Sequence, residues 1–165
     1  MEIYIVEDDI SVINVLEDII ESNGLGTVCG NSGGRPADPA EVARLNPDVV
    51  LVDFLMPEKD GIQFVRELKA AGSTARCIMI SQVSAKDLIG KAYSAGIDFF
   101  ISKPINIIEV KSVIENVERQ IQNERTLSNI RKMFMAEMNE MPKEKQKNDA
   151  YVKKLQLILN RIGMS

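Results

Sequence analysis

A doubly wound α/β fold, one five-stranded parallel sheet with helices on both faces, is predicted by three features of this sequence. Strand-like and helix-like segments alternate five times within about 120 residues, as strand–helix–strand crossovers require. Val49-Val50-Leu51-Val52 is an unbroken aliphatic run that reads as a strand buried on both faces. Polar groups close four of the strands, and reaction sites in open parallel sheets lie beyond the strands' carboxyl ends.

Each element has its own justification. Ile3–Val6 reads as the first strand, and Asp9 then caps a helix with Ile10, Ile13, Leu16 and Ile20 on one face. Gly24 and Gly26 flank a short second strand, roughly residues 25–30. The glycine-rich stretch Asn31–Pro36 lacks the Gly-Lys-Ser/Thr ending of a P-loop and does not fit G-x-G-x-x-G, so it reads as a flexible connection. Asp38-Pro39-Ala40-Glu41 combines a cap, a first-turn proline and a glutamate at the third position: a helix start. The third strand ends at Asp53; Pro57 and the turn Lys59-Asp60-Gly61 precede a helix built on Ile62, Phe64, Val65 and Leu68 and ended near Gly72. Residues 76–80 form a fourth strand ending at Ser81. Ser84-Ala85-Lys86-Asp87 is a capping-box variant opening a helix that closes before Gly96. Residues 98–101 form the fifth strand, followed by Ser102-Lys103-Pro104, and a long helical pattern begins at Ile105.

Composition narrows the class. With 45% hydrophobic and 27% charged residues, the 165-residue chain has room for one core and an extension. The chain begins directly on a strand pattern, and no apolar run nears the ~20 residues that span a bilayer, so a cytoplasmic protein without membrane contact is expected. Cys29 and Cys77 form no C-x-x-C pair and read as free thiols in a reducing compartment. Histidine is absent, which removes the commonest general base and zinc ligand. Residues 1–123 carry 11 basic and 19 acidic side chains against 9 and 5 in residues 124–165, so the net charge of −4 divides into −8 and +4. An acidic globule with a basic tail leans toward nucleic acid at the tail, though a solvated tail accounts for the charge equally well.

The polar strand ends are Glu7 and Asp8, Asp53, Ser81 and Lys103, all on one sheet edge. Taken singly each has an ordinary reading: Glu7 a helix cap, Asp53 a turn residue, Ser81 a turn, Lys103 a snorkelling surface lysine. Taken together they form a site. Three carboxylates repel unless a cation sits among them, and an oxygen-seeking Mg²⁺ suits them. An amine and a hydroxyl opposite suit the oxygens of an anion attached at the centre, so the set fits phosphoryl transfer onto Asp53.

Residues 1–123 resemble the receiver (CheY-like) domain of bacterial two-component response regulators. The resemblance rests on Glu7-Asp8, Asp53 with Met56-Pro57 and Asp60-Gly61 behind it, Ser81, and Lys103-Pro104. It implies a flavodoxin-like sheet of order 2-1-3-4-5 and phosphorylation of Asp53 by a partner histidine kinase. Mg²⁺ would be held by Asp8, Asp53 and the Leu55 carbonyl, with Glu7 assisting through water. Ser81 and Lys103 would grip the phosphoryl oxygens; Ser81 and Phe100 match the switch positions; the bond to Pro104 is expected to be cis. Such a domain is a phosphoacceptor that assists its own Mg²⁺-dependent phosphorylation and dephosphorylation, and no enzyme in the ordinary sense. Two departures stand out: Glu7 occupies a position more often aspartate, and Phe100 has no hydroxyl. The run from Ile80 to Val83, followed by Leu88–Tyr93, is similar to a glutamine-regulator subgroup with a YcbB-type DNA-binding output, which implies transcription control.

Other classes fit less well. An aspartyl-phosphate phosphatase of the haloacid-dehalogenase type needs an aspartate two residues after the nucleophile, where Leu55 stands. A flavodoxin needs a phosphate loop after the first strand, where Glu7-Asp8-Asp9 would repel the phosphate. A receiver-only relay or scaffold protein leaves 42 residues without a role. In that remainder Leu127, Ile130, Phe134, Met138 and Met141 form an apolar series turned roughly 140° from the stripe Val110, Ile114, Val117, Ile121 if one helix continues unbroken. Residues 122–133 contain no glycine or proline, so a continuous helix to Met141 that pairs with another chain is favoured over a break near Asn123. The expected organisation is therefore a receiver at 1–123, a helical dimerisation segment at 124–141, and from Pro142 to 165 a basic linker and the start of an output domain. A homodimer, with DNA contacted through an output largely outside this chain, follows.

Overall fold

The computed structural model describes residues 1–57, 59–82 and 86–140, with single helical positions at 150, 153, 154 and 157. Five strands and five helices alternate: β1 (Glu2–Val6), α1 (Ile10–Ser22), β2 (Thr27–Asn31), α2 (Pro39–Leu45), β3 (Val49–Asp53), α3 (Gly61–Ala70), β4 (Arg76–Ser81), α4 (Lys86–Ala95), β5 (Phe99–Ser102) and α5 (Ile107–Glu140). The sheet is parallel throughout, in the order β2-β1-β3-β4-β5. This is the flavodoxin-like arrangement that the sequence predicts.

β3 is the spine. All five of its residues are buried, and it pairs with β1 on one side and β4 on the other. Val50 and Val52 face a core with Phe64, Val65 and Leu68 of α3, Ala92 and Ala95 of α4, and Val42 of α2. The alternate strand residues Ile3, Ile5, Leu51, Ile78 and Ile80 are equally buried, as are Leu16 and Ile20 of α1 and Val110, Ile114 and Val117 of α5. Burial on both faces explains the unbroken aliphatic run.

Several boundaries move for local reasons. Asp9 caps α1 by accepting from Ser11 N at 2.8 Å, but Ile10, expected on the buried face, is 59% exposed and Ile19 is buried instead. β2 starts at Thr27, because Gly24 and Gly26 take positive φ and Leu25 turns into the core. Asp60 is the N-cap of α3, accepting from Gln63 N at 2.8 Å, where the sequence suggested only a turn. Asp98 precedes β5: its carboxylate takes Arg76 at 2.8 Å and Cys77 N at 2.9 Å, tying the strand entrance to β4. α5 begins at Ile107, two residues beyond the expected Ile105, since Asn106 Oδ1 accepts from Ile108 N at 2.8 Å. Ser84 and Ala85 of the expected capping box, and the expected helix on Tyr151, Leu155, Ile158 and Ile162, lie outside the described residues.

The chain divides into two compact units, Met1–Arg119 and Gln120–Ser165. α5 is one helix from Ile107 to Glu140. Of the second apolar series, Leu127 and Ile130 are 51% and 54% exposed and Phe134 is half-buried. Among the described residues, no helix is long and apolar enough to cross a membrane.

Candidate phosphoacceptor site

The carboxyl ends of β1, β3, β4 and β5 open on a cleft of about 280 Å³, which Glu7, Asp8, Asp53, Ser81 and Lys103 all line. The strand register places them there: Asp53 lies beside Ile80 at the end of β4, and Ser81 beside Ser102 at the end of β5. Leu55 is on the rim, its side chain 62% exposed. The Lys103-Pro104 bond is cis. Phe100 lies outside this cleft, half-buried, its ring edge-on to Tyr93 with centroids 5.5 Å apart.

Lys103 organises the charges. Its Nζ lies 2.9 Å from Glu7 Oε2 and 2.9 Å from Asp53 Oδ1, and both carboxylates are buried. Burial pushes the Asp53 carboxyl above its usual range, against the pull of Lys103; Glu7 is raised for the same reason, with Asp53 adding to the effect. Burial works against the Lys103 ammonium, but its hydrogen bonds to Glu7 and Asp53 outweigh that and hold its pKa up.

The donor set suits a hard dication. Carboxylate oxygens of Glu7, Asp8 and Asp53 lie within 4.8 Å of one another, and Asp8 is the exposed member of the three. One lysine cannot neutralise three carboxylates, and oxygen donors at this spacing fit Mg²⁺.

Two supporting features were not legible as such. Ser32 Oγ donates to the Glu7 carbonyl at 2.6 Å and accepts from Glu7 N at 3.1 Å, bracketing the backbone of the acidic pair. Gly34, at φ +73, packs so closely on the β1–α1 turn that a Cβ there would sit 3.2 Å from the Asp8 carbonyl oxygen. The stretch read as a flexible connection is thus a packed brace for Glu7-Asp8. Only its density of turn residues hinted at this. Gly61 is the second feature: a Cβ there would fall 2.2 Å from the Asp53 carbonyl oxygen, and Gly61 N donates to the Phe54 carbonyl at 3.0 Å. The glycine lets α3 start directly against the end of β3, below the site.

A parallel α/β domain with a buried carboxylate, lysine and acidic pair at one sheet edge is the architecture of a phosphoacceptor module. Residues 3–115 match the response regulator receiver domain, and the chain belongs to that family. Receiver domains of this family work in phosphorylation-dependent, two-component signalling, partner histidine kinases and use Mg²⁺ in phosphorylation. The transcriptional regulatory protein GlnL of Bacillus subtilis is 34% identical over 99% of this chain and 54% of its own length. The chemotaxis protein CheY of the same organism is 33% identical over 68% of this chain and 92% of its own. Among solved structures, a chain of the CheX–CheY–BeF3–Mg²⁺ complex of Borrelia burgdorferi aligns with a TM-score of 0.62 and 26% identity, over 71% of this chain and 88% of that one. The chain thus spans about half the length of the GlnL protein it matches.

Proposed function

We propose that Asp53 is the phosphoacceptor of a cytoplasmic response regulator, phosphorylated by a partner histidine kinase. The observation that carries this reading is the shared lysine: Nζ of Lys103 at 2.9 Å from both Asp53 and Glu7, on the edge that also holds Asp8 and Ser81. An Asp53 carboxylate oxygen attacks the phosphorus of the donor phosphohistidine, the P–N bond breaks, and its electron pair stays on the imidazole nitrogen. Asp53 then carries an acyl phosphate. Lys103 and the Ser81 hydroxyl bind the phosphoryl oxygens, and Glu7 holds Lys103 in place until the phosphoryl group arrives. Asp8, Asp53 and the Leu55 carbonyl would hold Mg²⁺, with Glu7 assisting through water; when bound, the ion offsets the negative charge of carboxylates and phosphoryl oxygens. The protein acts as a switch that assists its own phosphorylation and dephosphorylation, and is not otherwise an enzyme.

The output reading rests on the similarity to GlnL, which bears the name of a transcriptional regulatory protein. Phosphorylation repacks Ser81 and Phe100, and the change passes to α5. The chain pairs with a second copy through the apolar series beyond residue 124, and an output domain of YcbB type, reached through residues 142–165, binds DNA. Phe100 lacks a hydroxyl, so its part in the switch is packing, beginning with its contact to Tyr93.

Treatment with acetyl phosphate and Mg²⁺, followed by intact-mass measurement and peptide mapping, tests the acceptor. A single phosphoryl group on Asp53 is expected. Full labelling of Asp53→Ala would reassign the site.

A further inference from the structure

Beyond residue 121, α5 carries an apolar seam that is largely exposed among the described residues. Residues 122–133 are all exposed. At 100° per residue, Gln120, Asn123, Leu127, Ile130 and Phe134 fall within an arc of about 80° on one side of the helix. Their spacing alternates three and four, the repeat of a two-stranded coiled coil. Exposed helix of this length is marginal alone and gains its stability from a partner along such a face.

We infer that this seam pairs with the same seam of a second copy, parallel and in register, through residues 120–134. The inference rests on the dimer reading above and adds its orientation. Two observations select it. In a parallel pair each layer meets its own kind: Gln120 on Gln120, Asn123 on Asn123, Leu127 on Leu127, Ile130 on Ile130, Phe134 on Phe134. An antiparallel pair centred on Leu127 and Ile130 sets Asn123 against Phe134, burying an amide beside a ring that offers no hydrogen bond. The second observation is charge. The positions that flank the seam and face each other across a parallel pair, five residues apart, include Arg119 and Glu124, which are opposite in sign and recur twice by symmetry. A parallel pair also delivers both chains beyond Glu140 at the same end, as two output domains reading one two-fold site need.

The test uses the full 165-residue chain carrying Cys29→Ser; Cys77 stays in place because it is buried and its thiol is pushed up to about 11. Asn123→Cys and Phe134→Cys are introduced separately, with Lys132→Cys on the opposite side of the helix as control. Each is oxidised mildly before and after acetyl phosphate treatment, alongside light scattering. Disulfide dimers of each seam variant with itself, and none for the control, are expected. Crosslinking only when the two seam variants are mixed means an antiparallel pair, overturning the inference while the dimer reading stands. A dimer by light scattering without either crosslink places the interface elsewhere and also overturns it. A monomer throughout removes the dimer reading as well, and the phosphoacceptor reading stands or falls separately on Asp53. Arg119→Glu should weaken the dimer by about tenfold, and adding Glu124→Arg should restore it. Weakening by the single change without recovery in the double one would exclude the proposed pairing.

Discussion

Asp53→Asn should make the protein more stable in the absence of metal, although it removes the proposed acceptor. With an effective dielectric constant of about 20, Lys103 at 2.9 Å attracts the Asp53 carboxylate by about 6 kcal/mol. The buried Glu7 carboxylate, within 4.8 Å, repels it by roughly 3–4 kcal/mol. Asp8 is exposed and acts through solvent, adding about 1 kcal/mol of repulsion. The charges come close to cancelling, and burial, the largest influence on Asp53, decides the sign against the ionised form. An asparagine keeps an oxygen for Lys103 without the buried charge, so a gain of about 1 kcal/mol at pH 7 is expected, some 4 °C in Tm. The pH dependence fixes the cause. Asp53 and Glu7 both have folded pKa values raised above their unfolded ones. Their contribution is therefore fully present below the usual carboxylate range and is lost as pH rises through the raised values. The gap between Asp53→Asn and the parent should close below about pH 4 and be widest near neutrality. Urea melts in EDTA across this range measure it. An Asp53→Asn protein that is less stable than the parent at pH 7, or a gap independent of pH, would refute the reasoning.

Other changes act on single parts of the site. Asp8→Ala should lose both Mg²⁺ binding and phosphorylation, and EDTA should abolish phosphorylation of the parent, as followed by isothermal titration and by mass; an unchanged rate in EDTA would remove the metal from the scheme. Lys103→Ala should still accept a phosphoryl group but fail to pass the signal on, giving no phosphorylation-dependent change in oligomeric state by light scattering. Gly61→Ala should destabilise the fold by about 3 kcal/mol or more, because its methyl group would meet the Asp53 carbonyl backbone at 2.2 Å and neither partner is a flexible side chain; a Tm within 2–3 °C of the parent would contradict this.

The sheet was legible because its signals are local. The run 49–52 needs burial on both faces, and each strand's last polar residue names its own end. The convergence of Glu7, Asp8, Asp53, Ser81 and Lys103 followed from topology alone, since parallel strands share one carboxyl edge. What escaped the sequence is tertiary. Ser32 is ordinary until its hydroxyl is seen on both the N–H and the carbonyl of Glu7, 25 residues away. Asp98 read as the start of a strand because nothing nearby in sequence reveals Arg76 and Cys77 N as its partners. Ile10 read as buried by periodicity, yet at the first position of α1 it is exposed. The lysine shared between Glu7 and Asp53 was also hidden: sequence places the three together but does not give the pairing.

The edge-on contact of Tyr93 with Phe100 has a use beyond packing. The chain has no tryptophan and three tyrosines, so tyrosine emission is not drained by energy transfer to an indole. Tyr93 is 54% exposed and touches the ring of Phe100, the residue proposed above to take part in the switch. With Tyr4 and Tyr151 changed to phenylalanine, the emission of Tyr93 alone should report any change in its contact with Phe100, in unlabelled protein, while the phosphodonor is being mixed in.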